Sequence, residues 1–500
     1  MFKEIAISFL AKKRKKAILK WATHPIESQK NTLKKLIAFG KKTVFGNEHK
    51  FNNIRSYNDF KKNVPIADYE SLQKYINQIK KGRKNILWPG LPKYFATTSG
   101  TTSGEKHIPI TKESLPNLLQ GATDALLMYI ANTGKTEVLA GKFIFLQGSP
   151  ALDQTGGIKT GRLSGISAHH VPFFLKKARL PSNKTNCIED WEKKVEAIVQ
   201  ETIKEDMTIL SGIPSWLQMY FEKLHDVSGK PVGEIFKNFN LLIYGGVSYA
   251  PYKNKFEKLI GREVDSIEVY PSSEGFFAFQ DEQESKDLLL ILNAGIFYEF
   301  IKEKDFLNSK HNRVSIEEVK TGVNYVLIIS TAAGLWGYNT GDTVMFTSKY
   351  PFKIIVTGRI KQFLSAFGEH VIIKQVESAI EKTCASTGIS VNEFTVAPKF
   401  TSEKRGSYHE WFIDFDEETK DLKVFEKTLD LKMQSQNKYY QDLIQGKVIN
   451  SLKIRRVCKN GLNIYMSSIG KLGGQNKIPR ISNDRKIADE LYRLNLVEER

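Results

Sequence analysis

Cysteine is nearly absent from this chain. Three in 500 residues, Cys187, Cys384 and Cys458, stand far apart with no CxxC pair among them, which excludes a disulfide framework and a cysteine zinc site and leads us to expect a reducing compartment. Long apolar runs are missing too: the strongest, Leu288 to Leu292 and Tyr325 to Ile329, are strand-sized, far below the roughly 18 residues that suggest a membrane span. The opening MFKEIAISFLAKKRKK puts its short apolar run before its charges, the reverse of a secretory signal, so the expected location is the cytoplasm. Internal repeats at solenoid spacing and low-complexity tracts are also lacking. Acids are in deficit, 55 against 74 lysines and arginines, giving a net charge of +19.

What remains is the composition of a folded globular chain, 41% apolar and 26% charged, too long for one hydrophobic core. Half of the charge excess lies in residues 1 to 50, with 13 basic and 3 acidic residues. There Phe2, Ile5, Phe9, Leu19 and Trp21 interleave with Lys12, Lys13, Arg14, Lys15, Lys16 and Lys20, a basic amphipathic helix. The reading favoured is a solvated face over a packed inner stripe, with no nucleic acid and no stable membrane association expected.

Residues 1 to 90 read as a helical entry segment. From 94 to 350 β-rich runs (142–146, 207–210, 241–244, 266–270, 325–330) alternate with helical windows at 191–204 and 215–227, which argues α/β. Beyond Arg359 the pattern restarts with a helix near 371–387, strands near 393–396 and 409–415, a helical stretch at 421–445 and a strand at 452–457, an α+β unit of acceptable domain size. The expected architecture is therefore α/β, with a large N-terminal domain of mixed sheets and helices (1–357) and a smaller, mobile α+β C-terminal domain (358–500), joined at a hinge near Arg359.

The most informative stretch is YFATTSGTTSGEKHIPIT, Tyr94 to Thr111. Glycines let backbone N–H groups surround an anion, hydroxyls donate further hydrogen bonds and Lys106 adds charge, a combination suited to polyphosphate. It is neither a Walker loop, because Gly100 and Gly104 are four apart and Glu105 intervenes before Lys106, nor a GxGxxG motif.

This segment resembles the phosphate loop of the adenylate-forming enzymes, the superfamily of acyl-CoA synthetases, luciferases and nonribosomal adenylation domains. Within it the likeness is to the auxin-responsive acyl-acid amido synthetases of plants and their bacterial relatives. The resemblance continues in order through Tyr270-Pro-Ser-Ser-Glu-Gly275, Leu292-Asn-Ala-Gly-Ile-Phe-Tyr-Glu-Phe300, Gly334-Leu-Trp-Gly-Tyr-Asn-Thr-Gly-Asp-Thr-Val344, Gly358-Arg359 and Gly473-Gly-Gln-Asn-Lys-Ile-Pro-Arg480.

The resemblance implies an ATP- and Mg²⁺-dependent ligase that turns a carboxylic acid into an acyl adenylate and passes it to the amine of an amino acid. Thr98, Ser99, Thr101, Thr102, Ser103 and Lys106 would grip phosphates. Tyr270 would stack on adenine beside the backbone at Gly246, with Ser272 and Ser273 in the same turn, Asp342 would take the ribose hydroxyls, and Glu274 would hold magnesium. Arg359 would mark the hinge and reach the nucleotide. Lys477, with Lys361 as competitor, would be the lysine carried onto the α-phosphate when the small domain closes. Ser211 and Trp216 resemble a segment lining the acyl pocket. Where the family has Leu-Tyr-Arg-Tyr, this chain has Leu335-Trp336-Gly337-Tyr338 and lacks the arginine.

The residues alone leave alternatives open. A coenzyme A ligase shares the first half-reaction, and a non-catalytic basic binder would use residues 1 to 20. His169-His170 invites a metal or base reading, yet neighbours on a strand point to opposite faces, so a structural role is expected. The base for the second half-reaction is not identified by any motif.

Overall fold

The computed structural model describes residues 2–101, 104–171, 173–188, 190–246, 249, 252–307, 310–360, 363–369, 371–401, 406–416, 421–469 and 478–498. Helices Phe2–Ala22, Pro25–Gly40, Tyr57–Asn63 and Tyr69–Lys80 dominate the opening segment. Local chemistry starts three of them: Pro25 in the first turn, a capping box between Ser56 and Asp59, and Asp68 accepting from the Ser71 N–H. The first helix packs Ala11, Ile18 and Trp21 inward, and Arg14 forks onto the buried Asp124 at 2.6 and 2.8 Å. Ile5, Phe9 and Leu19 lie on the solvent side instead, 60%, 70% and 44% exposed, so the packed stripe contains fewer apolar residues than the sequence suggested.

Among the described residues twelve strands form the main sheet. Its order runs Val314–Ser315, Ile296–Lys302, Asn324–Thr331, Tyr338–Lys349, Phe352–Arg359, Leu288–Leu290, Gly275–Phe279, Asp265–Ser272, Leu241–Gly245, Met207–Gly212, Lys142–Phe145, Arg179–Leu180. The last five strands are parallel to one another and the rest antiparallel. Parallel strands are buried on both faces. Here helix Ser114–Thr133 covers one face, and helices Trp191–Thr202, Pro214–Ser228 and Lys253–Ile260 cover the other around Leu210, Leu242, Phe221 and Phe256. The α/β expectation rests on this part. A separate four-stranded sheet has the order Gly104–Ile110, Tyr94–Thr101, Ile158–Gly161, Asp153–Thr155.

After Arg359 the hairpin Phe363–Leu364/Val371–Ile372 leads into a three-stranded sheet, Val391–Lys399, Tyr408–Phe415, Lys453–Val457. Helices Ile373–Thr387 and Leu422–Gln436 pack on one face, and Gly461–Ser468 and Lys486–Arg493 on the other. The expected helix at 421–445 is two, broken at Asn437, whose side chain caps the second by accepting from the Tyr440 N–H. Val195 and Met219 from the large unit join the core of the small one. Among the described residues no helix is long and apolar enough to cross a membrane.

Candidate active site

The hydroxyl-rich segment folds as a β-hairpin. Thr98 lies opposite Lys106 and Tyr94 opposite Ile110, with a register shift beyond Thr98 that brings Thr101 opposite Gly104. Thr102 and Ser103 lie outside the described residues, and Ser99 and Thr101 are described in their backbone only. Tyr69 braces the hairpin: its hydroxyl accepts from the His107 N–H at 2.8 Å, and the Lys106 ammonium sits 5.6 Å from its ring centroid. His107 Nδ1 faces the Lys80 ammonium at 3.0 Å. Burial and then Lys80 push the imidazole below its ordinary range, so it is neutral near pH 7.

Tyr270, Ser272, Ser273 and Glu274 fall at the turn between strands Asp265–Ser272 and Gly275–Phe279. The Tyr270 hydroxyl donates to Asp342 Oδ2 at 2.6 Å, with both residues buried. The residues assigned to adenine and ribose thus meet each other directly. Asp342 follows Gly341, at φ 81°, in a bulge of strand Tyr338–Lys349 tied by the Thr340 and Asn339 side chains, and Arg359 is its partner across the next strand pair. Only the backbone of Arg359 is described. The Ser272 hydroxyl donates to the Glu274 carboxylate, and the Tyr338 phenol reaches its other oxygen at 3.5 Å. Tyr338 is held well above the usual phenol range by burial first, then by Glu274, Glu70 and Tyr69.

Tyr69 thus holds the hairpin strand and Tyr338 reaches the acid at 274. A small cavity beside Glu274 is lined by Ile110, Ser114, Ser273, Gly295 and Ala332, which brings three of the ordered motifs together. The Thr111 hydroxyl closes this side by donating to the Ala332 carbonyl at 2.7 Å. Asp342 sits at the Tyr270 end of the turn.

Gly337, where the family pattern has arginine, has a steric cause. It sits at φ 55°, and a Cβ there would lie 2.4 Å from the Pro65 carbonyl oxygen and 3.2 Å from Arg313 Nη1. Segment 65–67 runs alongside, with the Ala67 N–H donating to the Gly337 carbonyl at 2.9 Å.

At the carboxyl ends of the parallel strands stand Ser211 and Gly246, the latter at φ 87°. Tyr244 stacks on Tyr249 at 4.2 Å, and Glu268 lies opposite Tyr244 on the next strand. Burial alone pushes the Glu268 carboxyl up to about 7. No motif signalled Glu268. Its only sequence sign is an acid inside the apolar β run SIEVY. Trp216 packs against both the helix cluster over the parallel strands and the small unit's core. Lys361 and Lys477 lie outside the described residues.

His169 and His170 are not on a strand. They follow helix Leu163–Ala168, where His169 Nε2 meets the Pro150 carbonyl at 2.8 Å and His170 Nε2 the Tyr94 hydroxyl at 3.0 Å. Gly165 in that helix admits the neighbouring segment, since a Cβ there would lie 2.6 Å from the Ser149 carbonyl oxygen. Among the described residues no three His, Cys, Asp or Glu side chains gather as a metal cage.

Three family models match the chain: the GH3 family N-terminal domain over residues 14–264, its central domain over 289–359 and its C-terminal domain over 374–486. The chain is 22% identical to indole-3-acetic acid-amido synthetase GH3.3 of Arabidopsis thaliana, covering 90% of this chain and 88% of the relative. It is 23% identical to jasmonoyl-L-amino acid synthetase JAR4 of Nicotiana attenuata, over 63% and 66%. Among solved structures, the GH3.15 acyl acid amido synthetase superposes with a TM-score of 0.62 at 17% identity, over 99% of this chain and 97% of that one. A 2-hydroxyisobutyryl-CoA ligase superposes at 0.59 and 14% identity, over 94% and 92%. The fold is that of the adenylate-forming ligases, with a large N-terminal and a smaller C-terminal domain.

Proposed function

The chain belongs to the GH3 family, and on that footing we propose that it is an ATP-dependent acyl-acid amido synthetase working through an acyl adenylate. The observation that carries this reading is that the end of the phosphate hairpin at Ile110 and the Ser-Ser-Glu-Gly turn line one cavity, while Tyr270 at the start of that turn is bonded to Asp342. In the first step a carboxylate oxygen of the acid bonds to the α-phosphorus of ATP, and pyrophosphate leaves with the electron pair of the broken bond. The acid is already ionised at neutral pH and needs no base. In the second step the neutral amine of an amino acid bonds to the acyl carbon, AMP departs with the electron pair of the broken acyl–phosphate bond, and the nitrogen's surplus proton passes to solvent.

Rate comes from positioning and from charge stabilisation. Thr98, Ser99, Thr101, Thr102 and Ser103 offer hydroxyls and amides to the phosphates, with Lys106 held beside them by Tyr69. Asp342 takes the ribose and Tyr270 the adenine, next to the open backbone at Gly246. Ser211 and Trp216 border the acid. Arg359 stands at the joint between units 1–357 and 358–500, and Lys477 or Lys361 brings positive charge to the α-phosphate. Magnesium needs one or two carboxylates plus phosphate oxygens. Glu274, turned to the small cavity and oriented by Ser272, suits an ion that arrives with the nucleotide and neutralises its charge. Cytoplasmic location accords with the three unpaired cysteines.

The test is acid-dependent ATP–pyrophosphate exchange with magnesium and a panel of carboxylic acids, followed by product mass in the presence of amino acids or coenzyme A. Exchange with at least one acid and an amide product are expected. A folded protein that binds ATP yet exchanges with no acid refutes adenylation, and a thioester product replaces the amine acceptor with coenzyme A.

A further inference from the structure

Helix Phe2–Ala22 has two unlike faces. On one, Ala11, Ile18 and Trp21 are buried, and Arg14 and Lys15 tie that side to Asp124 and Asn132 of helix Ser114–Thr133. The other face is bare. At about 100° per residue, Ile5, Lys12, Lys13, Lys16 and Lys20 fall within roughly 60° of Phe9, and Leu10 and Leu19 flank them on the two sides. Phe9 is 70% and Ile5 60% exposed, with Leu10 at 52% and Leu19 at 44%, and the four lysines are exposed as well. Glu4 is the single acid of the helix and lies about 140° round from Phe9, so the bare face carries positive charge alone.

Scattered apolar side chains on a protein surface need no explanation, but a phenylalanine and an isoleucine in the middle of four lysines on one helix face do. Three occupants compete for that face. A second copy of the chain would set the same lysines against each other across a two-fold axis, at a Coulombic cost. Duplex nucleic acid would take the lysines on its phosphates yet leave Phe9 and Ile5 facing a polar backbone. An anionic bilayer meets both needs, because headgroups pair with the ammonium groups while the apolar side chains enter the boundary between headgroups and acyl chains. We propose that this face is a reversible docking surface for anionic membrane lipid, with Phe9 and Ile5 entering the interface and Lys12, Lys13, Lys16 and Lys20 holding the headgroups. The bare strip from Ile5 to Lys20 is about 22 Å long at 1.5 Å per residue. Arg14 and the buried stripe keep the helix on the protein while it binds, so the folded enzyme is brought to the membrane whole. This surface is independent of the amido synthetase reading.

The probe is a pair of vesicle preparations, phosphatidylcholine alone and phosphatidylcholine with about one-third phosphatidylserine, sedimented with the full chain at low salt and at roughly 0.5 M salt. The protein is expected to pellet with the anionic vesicles, to stay in solution with the neutral ones, and to bind less at high salt. Phe9→Ser with Ile5→Ser should weaken binding about tenfold at unchanged charge, and each of Lys12→Gln, Lys13→Gln, Lys16→Gln and Lys20→Gln about fivefold. All six positions face solvent, so the variants should unfold at the wild-type midpoint. Lys423→Gln with Lys427→Gln, at exposed positions on helix Leu422–Gln436 of the small unit, should leave binding unchanged. No pelleting with anionic vesicles, equal pelleting with neutral ones, or a serine double variant that binds like wild type each overturns the proposal. Equal loss in the 423/427 variant does so too, because it marks adherence by net charge. Short duplex DNA that binds through the four lysines while vesicles do not would make this a nucleic-acid face, and a dimer in sedimentation velocity that Phe9→Ser dissolves would make it a contact between copies; either result replaces the lipid.

Discussion

Tyr270 and Asp342 depend on each other. A buried carboxylate that accepts a phenol proton at 2.6 Å loses a charge-assisted bond when that hydroxyl is removed, a change worth about 1.5–3 kcal/mol. Tyr270→Phe should therefore lower unfolding stability by about 2 kcal/mol in urea titration and raise the KM for ATP, because Asp342 is no longer held in place. Unchanged stability and KM would show that the contact is idle. Glu268 makes a second prediction, this time about pH. Its carboxyl ionises near 4.5 in an unfolded chain and at about 7 when folded. The folded state retains the proton longer, so stability falls as pH rises from about 4.5 and levels off above about 7. Glu268→Gln has no charge to bury. It should match wild type at pH 5 and exceed it by roughly 2 kcal/mol at pH 8, a figure discounted for partial exposure. An equal difference at both pH values would place the effect elsewhere. Gly337→Arg, which restores the family's residue, should destabilise by more than about 2 kcal/mol in thermal unfolding, because the side chain must enter at φ 55° against the Pro65 carbonyl.

Elements were legible where local pattern decides them. The runs at 207–210, 241–244 and 325–330 became strands, and the windows at 191–204 and 215–227 became helices, because burial on two faces or on one stripe leaves a periodic trace. Pairing leaves no such trace. That YFATTSGT pairs with GEKHIPI as a hairpin, and that the 338–349 strand joins the 324–331 and 352–359 strands in a sheet where Asp342 meets Tyr270, are facts of pairing. The same limit hid the roles of Tyr69 and Tyr338. Tyr69 read as an apolar helix position and Tyr338 as one letter of a motif, yet the Tyr69 phenol holds the hairpin and the Tyr338 phenol reaches Glu274. The histidines at 169 and 170 failed differently, since a helix only six residues long carries too little periodicity to be recognised. At the first helix, charge looked like a solvated surface, whereas Arg14 in fact neutralises an acid that is only 3% exposed. Arg14→Ala should cost about 3 kcal/mol in chemical denaturation, and Arg14→Ala with Asp124→Ala less than the sum of the singles, because the first change strands a buried charge. Strict additivity would count against the pair.

At the scale of the whole molecule, two units share part of one core. Val195 and Met219 of the large unit are counted among the small unit's buried residues, Trp216 touches both, and the Tyr252 hydroxyl reaches the Ala366 carbonyl at 3.4 Å. The sequence placed the joint near Arg359 from a change of pattern, but could not show that helices at 191–202 and 214–228 would receive the small unit. An interface that opens and closes during turnover must stay modest in strength, and one large aromatic shared by both sides concentrates that strength at a single position. Trp216→Ala should therefore loosen the docking more than it loosens either core. Limited trypsin digestion is expected to cut residues 358–375 several-fold faster in the variant, while the main unfolding transition shifts little. Cleavage at the wild-type rate would mean that Val195, Met219 and the ion pair of Arg162 with Asp442 hold the small unit without Trp216.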